Sequence, residues 1–301
     1  MNLLALLFAL ACERGLTHLL HLRELRWLDR YCDWVGARLV PQSGAVLVIA
    51  TLAAMLLPVL PVALASGFLG SRLLGLPQFV FAVFLLLFSF GPRDLKDEVD
   101  DYVAALERDD REAAASSARE LLENDAAGRG AGARQAVCEA VFVQANNRIF
   151  GVIFWFLVLG PPGAWLFRVT DLLRRRAAFE AMRAGVVVSG PTYGGALALV
   201  HGVLAWLPAR LTALSYALAG SFEDAVGNWR DAVDGASTGL LDRAEDLLAR
   251  VGRGSLQPSI AGVPAAELDL ATARGAWRIV SRSLWIWLAA IAVLVLVGNA
   301  A

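Results

Sequence analysis

Residues able to do chemistry gather around one apolar run. Glu139 opens it, and Gln144, Asn146, Asn147 and Arg148 form a polar knot. Arg168 and Asp171 follow the uncharged stretch 149–167. Asn146 and Asn147 lie seven and eight residues beyond Glu139, so on an α-helix the three share a face. Carboxylate and amide oxygens on one face suit Mg²⁺ with phosphate. They equally suit a polar seam in which amides hydrogen-bond between helices, and the seam is the preferred reading.

Arg210 is the most informative single charge. It sits in LAWLPARLTALSYA (204–217), inside an apolar segment, where a charge costs roughly 2.5–3.5 kcal/mol at the centre of an inserted helix. Pro208 frees a backbone carbonyl that an arginine or a water can satisfy. One reading is an anion pocket with Arg148 or Arg168. The blander and preferred one is an ion pair with Glu139 or Asp171. The candidate ligand-binding residues are therefore Glu139, Asn146, Asn147, Arg148, Arg168 and Arg210, with an anionic small molecule such as a muropeptide or nucleotide as ligand.

Other candidates carry less. His18 and His21 are three apart with no third ligand, and the lone His201 reads as packed. Cys12, Cys32 and Cys138 fit neither a disulfide framework nor a zinc site. GRGAG (128–132) lacks the spacing and preceding strand of a phosphate loop. Glu223, Asp224 and Asn228 share a helix face, and a capping role suits them as well as a site does. No nucleophile elbow or paired metal-ligand motif is present, so no catalytic residue, metal or cofactor is assigned.

The elements that must position these residues are membrane helices. The 301-residue chain is 57% hydrophobic with a mean hydropathy of +0.57, above the roughly 45–50% apolar content of soluble domains. Its net charge of −1 excludes an electrostatic nucleic-acid binder. The expected class is all-α, a polytopic helical protein with about five crossings of the bilayer and a helical cytoplasmic insert. Residues 1–44 hold a short uncleaved helix (2–12) and an amphipathic, interfacial helix. Residues 45–90 form a transmembrane hairpin. Residues 91–137 form a charged helical insert able to dock a protein partner. Residues 138–219 form a transmembrane core with a polar face, 220–283 a polar helical segment, and 284–301 a terminal transmembrane helix.

Crossings at 45–64, 73–90, 149–167, 195–219 and 284–297 put 20 of the 27 basic residues on one side. By the positive-inside rule that side is cytoplasmic. A re-entrant 195–219 is the alternative.

EAVFVQANNRIFGVIFWFLVLGPPGAWLFR (139–168), GPRDLKDEVDDYVAAL (91–106) and LPARLTALSYALAGSFEDAVGNWR (207–230) resemble the AmpE family. These are inner-membrane proteins associated with regulation of β-lactamase induction. More remotely, the chain is similar to the CbiB or CobD synthases of cobalamin biosynthesis. Glu139, Arg168 and the run Pro208–Thr212 match the synthase pattern. Val143, Gln144, Asn147 and Arg174 depart from it, standing for an acid, an asparagine and two aspartates. The resemblance thus implies a non-catalytic modulator of the β-lactamase and cell-wall-recycling response. Its alternative is an adenosylcobinamide-phosphate synthase-like enzyme that forms an amide.

Overall fold

The computed structural model describes residues 26–39, 44–70, 76–90, 95–122, 131–183, 192–234 and 240–300, with Ala9 besides. The expected helix at 2–12 (Ala9 apart), His18, His21, Arg72 and the loop at 185–191 lie outside them. Every regular element among the described residues is helical, as the sequence predicts. In order these are α1 (Arg26–Leu39), α2 (Gly44–Leu56), α3 (Leu60–Gly70), α4 (Leu76–Phe90), α5 (Leu95–Glu107), α6 (Arg111–Leu122) and α7 (Ala131–Ala145). A π-helical turn (Asn146–Phe150) follows, then α8 (Gly151–Leu159), α9 (Pro161–Arg183), α10 (Tyr193–Ala219), α11 (Phe222–Asp234), α12 (Leu240–Ile260) and α13 (Leu268–Ala300).

Among the described residues four helical stretches are long and apolar enough to cross a membrane, beginning at Leu76, Gly132, Tyr193 and Leu268. A fifth crossing is available if α2 and α3, bent by 40°, count as one. Large apolar side chains face outward on these stretches, among them Ile49, Leu64, Val80, Leu199 and Leu294. Faces of that kind need lipid, and the chain is a multi-pass membrane protein.

The third span differs from expectation, and the fourth follows it. The third runs Gly132–Leu159, earlier than 149–167. Gly160 ends it at φ 69°, and Pro161 starts α9, where its missing N–H would have no partner anyway. Gly163 makes the corner tight, since a Cβ there would lie 2.3 Å from the Trp155 carbonyl oxygen. Arg168 and Asp171 are therefore interior residues of α9 and do not mark the end of a span. The fourth is one continuous 27-residue helix through Pro208, long enough to cross.

The chain divides into two compact units, 1–92 with 147–205, and 93–146 with 206–301. In the first, α9 is the hub and packs on α1, α2, α3, α4 and α8. Leu28, Cys32, Val35, Leu47, Met55, Trp165, Val169 and Leu173 make its core. Helix α1 turns Cys32 and Val35 inward and leaves Trp34 outside, with the Arg38 guanidinium 4.6 Å from its ring centre. In the second unit α12 and α13 pack on each other and on α7, and α5 lies against α6 and α13. The 91–137 insert thus has a partner in its own unit, burying Leu95, Val99 and Tyr102. Asp110 caps α6 by accepting from the Ala113 N–H at 3.0 Å.

Two prolines leave carbonyls without their helical donor, and aromatic side chains replace it. Pro58 cannot donate to Ala54, so the Tyr31 hydroxyl donates to that carbonyl at 2.6 Å. Pro208 cannot donate to Leu204, and the Trp155 indole N–H donates there at 3.0 Å. Tyr31→Phe or Trp155→Phe should each lower stability by about 1–3 kcal/mol, read as a lower thermal midpoint in detergent. Burial, with the neighbouring Cys32 adding to it, raises the Tyr31 phenol above its ordinary value of 10.0. A raised pKa means that its contribution is complete below pH 10 and is lost as pH rises through the folded value. The alkaline fall in thermal midpoint should therefore be shallower in Tyr31→Phe than in the wild type.

Candidate functional site

The polar knot falls on the π-helical turn. A π turn takes more residues per turn than an α-helix, so three consecutive polar residues, Asn146, Asn147 and Arg148, are all buried. The α-helical spacing in the sequence gives no sign of this. The six candidate residues are distributed over the two units. Glu139, Asn146 and Arg210 belong to the second unit, and Asn147, Arg148 and Arg168 to the first.

In the second unit Asn146 Oδ1 accepts from the Thr212 hydroxyl at 3.2 Å, and the Tyr216 hydroxyl donates to the Phe142 carbonyl at 2.9 Å. Polar contacts thus bind α7 to the C-terminal half of α10, which is the geometry of a seam. Glu139 is half-buried and accepts from Gln135 at 2.8 Å and from Arg253 Nη1 at 3.0 Å. Arg210 donates to the Trp206 carbonyl at 3.0 Å, with its guanidinium 4.0 Å from the Trp206 ring centre. It does not satisfy the carbonyl that Pro208 frees, which Trp155 serves. Ser221 and Asp224 hydrogen-bond at the start of α11, and the Asn228 amide donates to the Asp224 carbonyl, an arrangement that suits the capping reading.

In the first unit the sequence understates one group. Asp171 is fully buried, accepts from Arg174 Nη2 at 2.9 Å and from Arg168 Nη1 at 3.4 Å, and is ion-paired with Arg175, whose Nε lies 2.7 Å away. His201 Nε2 of α10 stands 3.6 Å from the same carboxylate. Residues 168, 171, 174 and 175 are three or four apart and share one face of α9. That spacing is the signal that could have found the cluster. From sequence alone the lone His201 reads as a packed histidine. His201 is indeed wholly buried, its ring 5.1 Å from that of Phe167. Arg176 points elsewhere and pairs with Asp33 at 2.7 Å.

Chemically, the first unit offers a cationic centre under a membrane helix, and the second offers a carboxylate held by an arginine. Together with the helical fold these define a polytopic membrane protein with charges built into its interior. The model of the family described as CobD/Cbib protein matches residues 6–239, and the chain belongs to that family. It is 30% identical over 245 residues to "Cobalamin biosynthesis protein CobD" of Chromobacterium violaceum, covering 75% of this chain and 74% of that one. It is also 30% identical over 158 residues to the protein of the same name from Stutzerimonas stutzeri, covering 49% and 47%. No solved structure gives a significant match.

These findings correct the functional expectation. The family is described as CobD/Cbib protein and both relatives carry the cobalamin-biosynthesis name, which overturns a non-catalytic modulator of β-lactamase induction. The AmpE likeness rests on motif resemblance alone. The remoter of the two resemblances is the one that most of the chain carries.

Removing the carboxylate at Asp171 leaves buried guanidiniums without their counter-charge. Asp171→Asn should cost about 3–5 kcal/mol and lower the thermal midpoint sharply. Arg210→Ala removes only a local carbonyl contact and a ring contact, about 1 kcal/mol or less, and should barely move it. A midpoint for Arg210→Ala as low as that of Asp171→Asn would contradict this ranking.

Proposed function

We propose that this chain is an amide-forming enzyme of cobalamin biosynthesis in the bacterial inner membrane, joining an amine to a carboxyl group of a corrinoid precursor. The observation that carries this reading is its kinship with a CobD protein across three quarters of both chains. Glu139, Arg168 and the run Pro208–Thr212 also stand where the synthase pattern has them.

The reaction needs three things from a protein. The carboxyl must be activated, because hydroxide is a poor leaving group, and a nucleoside triphosphate as co-substrate would phosphorylate it so that phosphate leaves when the amine attacks. The amine must lose a proton to become a nucleophile. The oxyanion formed on attack must be stabilised. Glu139 is the carboxylate suited to take the amine proton, since it is half-buried and oriented by Arg253. The pattern's acids at 143, 147 and 174 are replaced here by valine, asparagine and arginine. The acid–base work accordingly rests on Glu139.

The test is complementation of a cobalamin-synthase deletion strain on medium lacking cobinamide. Growth is expected from the wild-type chain, while Glu139→Gln and Arg168→Ala should reduce growth at least about a hundredfold in rate-limiting medium. Immunoblots of membranes would verify that each variant accumulates. Absence of growth with the wild-type chain present in the membrane would sink the enzyme reading.

A further inference from the structure

We propose that the α9 cluster of the first unit is an oxyanion-binding site, in which His201, Arg174 and Arg175 take a phosphoryl or carboxylate group beside Asp171. The proposal does not depend on amide formation, since it concerns binding alone.

Donor capacity is the first part of the argument. A carboxylate offers about four lone-pair sites, whereas three guanidiniums carry about fifteen N–H donors. Asp171 meets Arg168, Arg174 and Arg175, so it cannot by itself match either their donors or their charge. The arginines have contacts beyond Asp171. The observation that points to a ligand is accordingly His201. Its side chain is fully buried, and neither Nδ1 nor Nε2 has a hydrogen-bond partner. A buried polar group without a partner is costly. This one is aimed at the cluster, with Nε2 3.6 Å from Asp171 Oδ1, beyond hydrogen-bond range. A neutral imidazole has one N–H to give, and an oxyanion oxygen among the arginines would accept it.

Access is the second part. The Arg168 and Asp171 side chains are almost fully enclosed, at 3% and 0% exposure, but Arg174 and Arg175 retain 15% and 17%. The cluster thus has a closed floor and an edge that reaches its surroundings. Arginine's planar fork suits two oxygens of one phosphate or carboxylate.

The oxyanion could come from a soluble phosphate or from a phospholipid headgroup, and the experiment separates them. Full-length protein in neutral detergent is titrated with inorganic phosphate at constant ionic strength, chloride serving as the control, and the thermal midpoint is read. In parallel, nanodiscs of phosphatidylcholine are compared with nanodiscs containing phosphatidylglycerol. A saturable rise with phosphate is expected, with little from chloride. His201→Phe and Arg175→Gln should each weaken the apparent affinity by about tenfold or more, the loss expected for one hydrogen bond to a charged group. A rise with phosphatidylglycerol alone keeps the site and identifies the headgroup as its source. Should either variant fail to fold, Arg175→Lys keeps the charge but loses the fork, and an intermediate loss is expected. No saturable rise from either source, or an equal rise in the variants, overturns the proposal.

Discussion

In hydrocarbon a backbone carbonyl without a donor has no water to turn to, and each such group costs several kcal/mol. This constraint governs how the first unit is put together. Pro58 lies between α2 and α3 and Pro208 lies within the continuous α10, and each leaves a carbonyl four residues earlier without its N–H. Tyr31 reaches Ala54 from α1, and Trp155 reaches Leu204 from α8. Trp165 donates from α9 to the Pro58 carbonyl at 3.0 Å. Three aromatic side chains on three helices are thereby fixed by backbone groups of the helices they serve. The same contacts settle where α1, α8 and α9 pack, because a polar tip must meet its carbonyl while the ring fills the apolar gap.

The second constraint is the buried charge on α9. A carboxylate at the floor of a packed unit is tolerated only with counter-charges and hydrogen bonds around it. Arg168, Arg174 and Arg175 provide them from the same helix face, so the pairing is built into the helix itself. His201 then brings α10 against that face. Charge and packing act together here, since Val169 and Leu173 carry the apolar core of the unit between the positions of the ionic residues. Rotating α9 to place its arginines at a membrane surface would expose that core.

Much of the architecture is legible in the sequence because lipid makes simple demands. Long apolar runs show as hydropathy, and the all-helical class follows. Leu95, Val99 and Tyr102 recur at three and four residues in the sequence, and α5 buries them on one face. What the sequence hides depends on geometry that spacing does not encode. The π turn at Asn146–Phe150 changes which residues share a face. Gly160 and Pro161 end one helix and begin another inside a stretch whose hydropathy reads as continuous. The role of Arg210 is misjudged for a related reason. A proline-freed carbonyl calls for a donor, and the sequence cannot show that Trp155, 53 residues earlier, arrives first.

The family relation and the departures from its pattern bear on different levels. A helical scaffold held by aromatic donors and a buried ionic centre tolerates exchange of individual polar residues, provided that charge in the interior stays balanced. The synthase resemblance implies an acid at position 174, where this chain has an arginine paired with Asp171. An acid there would repel Asp171 and call for a cation to bridge the two. An arginine pairs with Asp171 directly and leaves the balance of the cluster positive toward its open edge. The same backbone position can thus contribute to an anion's environment by two routes, through a bound cation or through the side chain itself. Kinship over most of the chain is consistent with either route, because the fold depends on the charge being balanced and not on which group balances it.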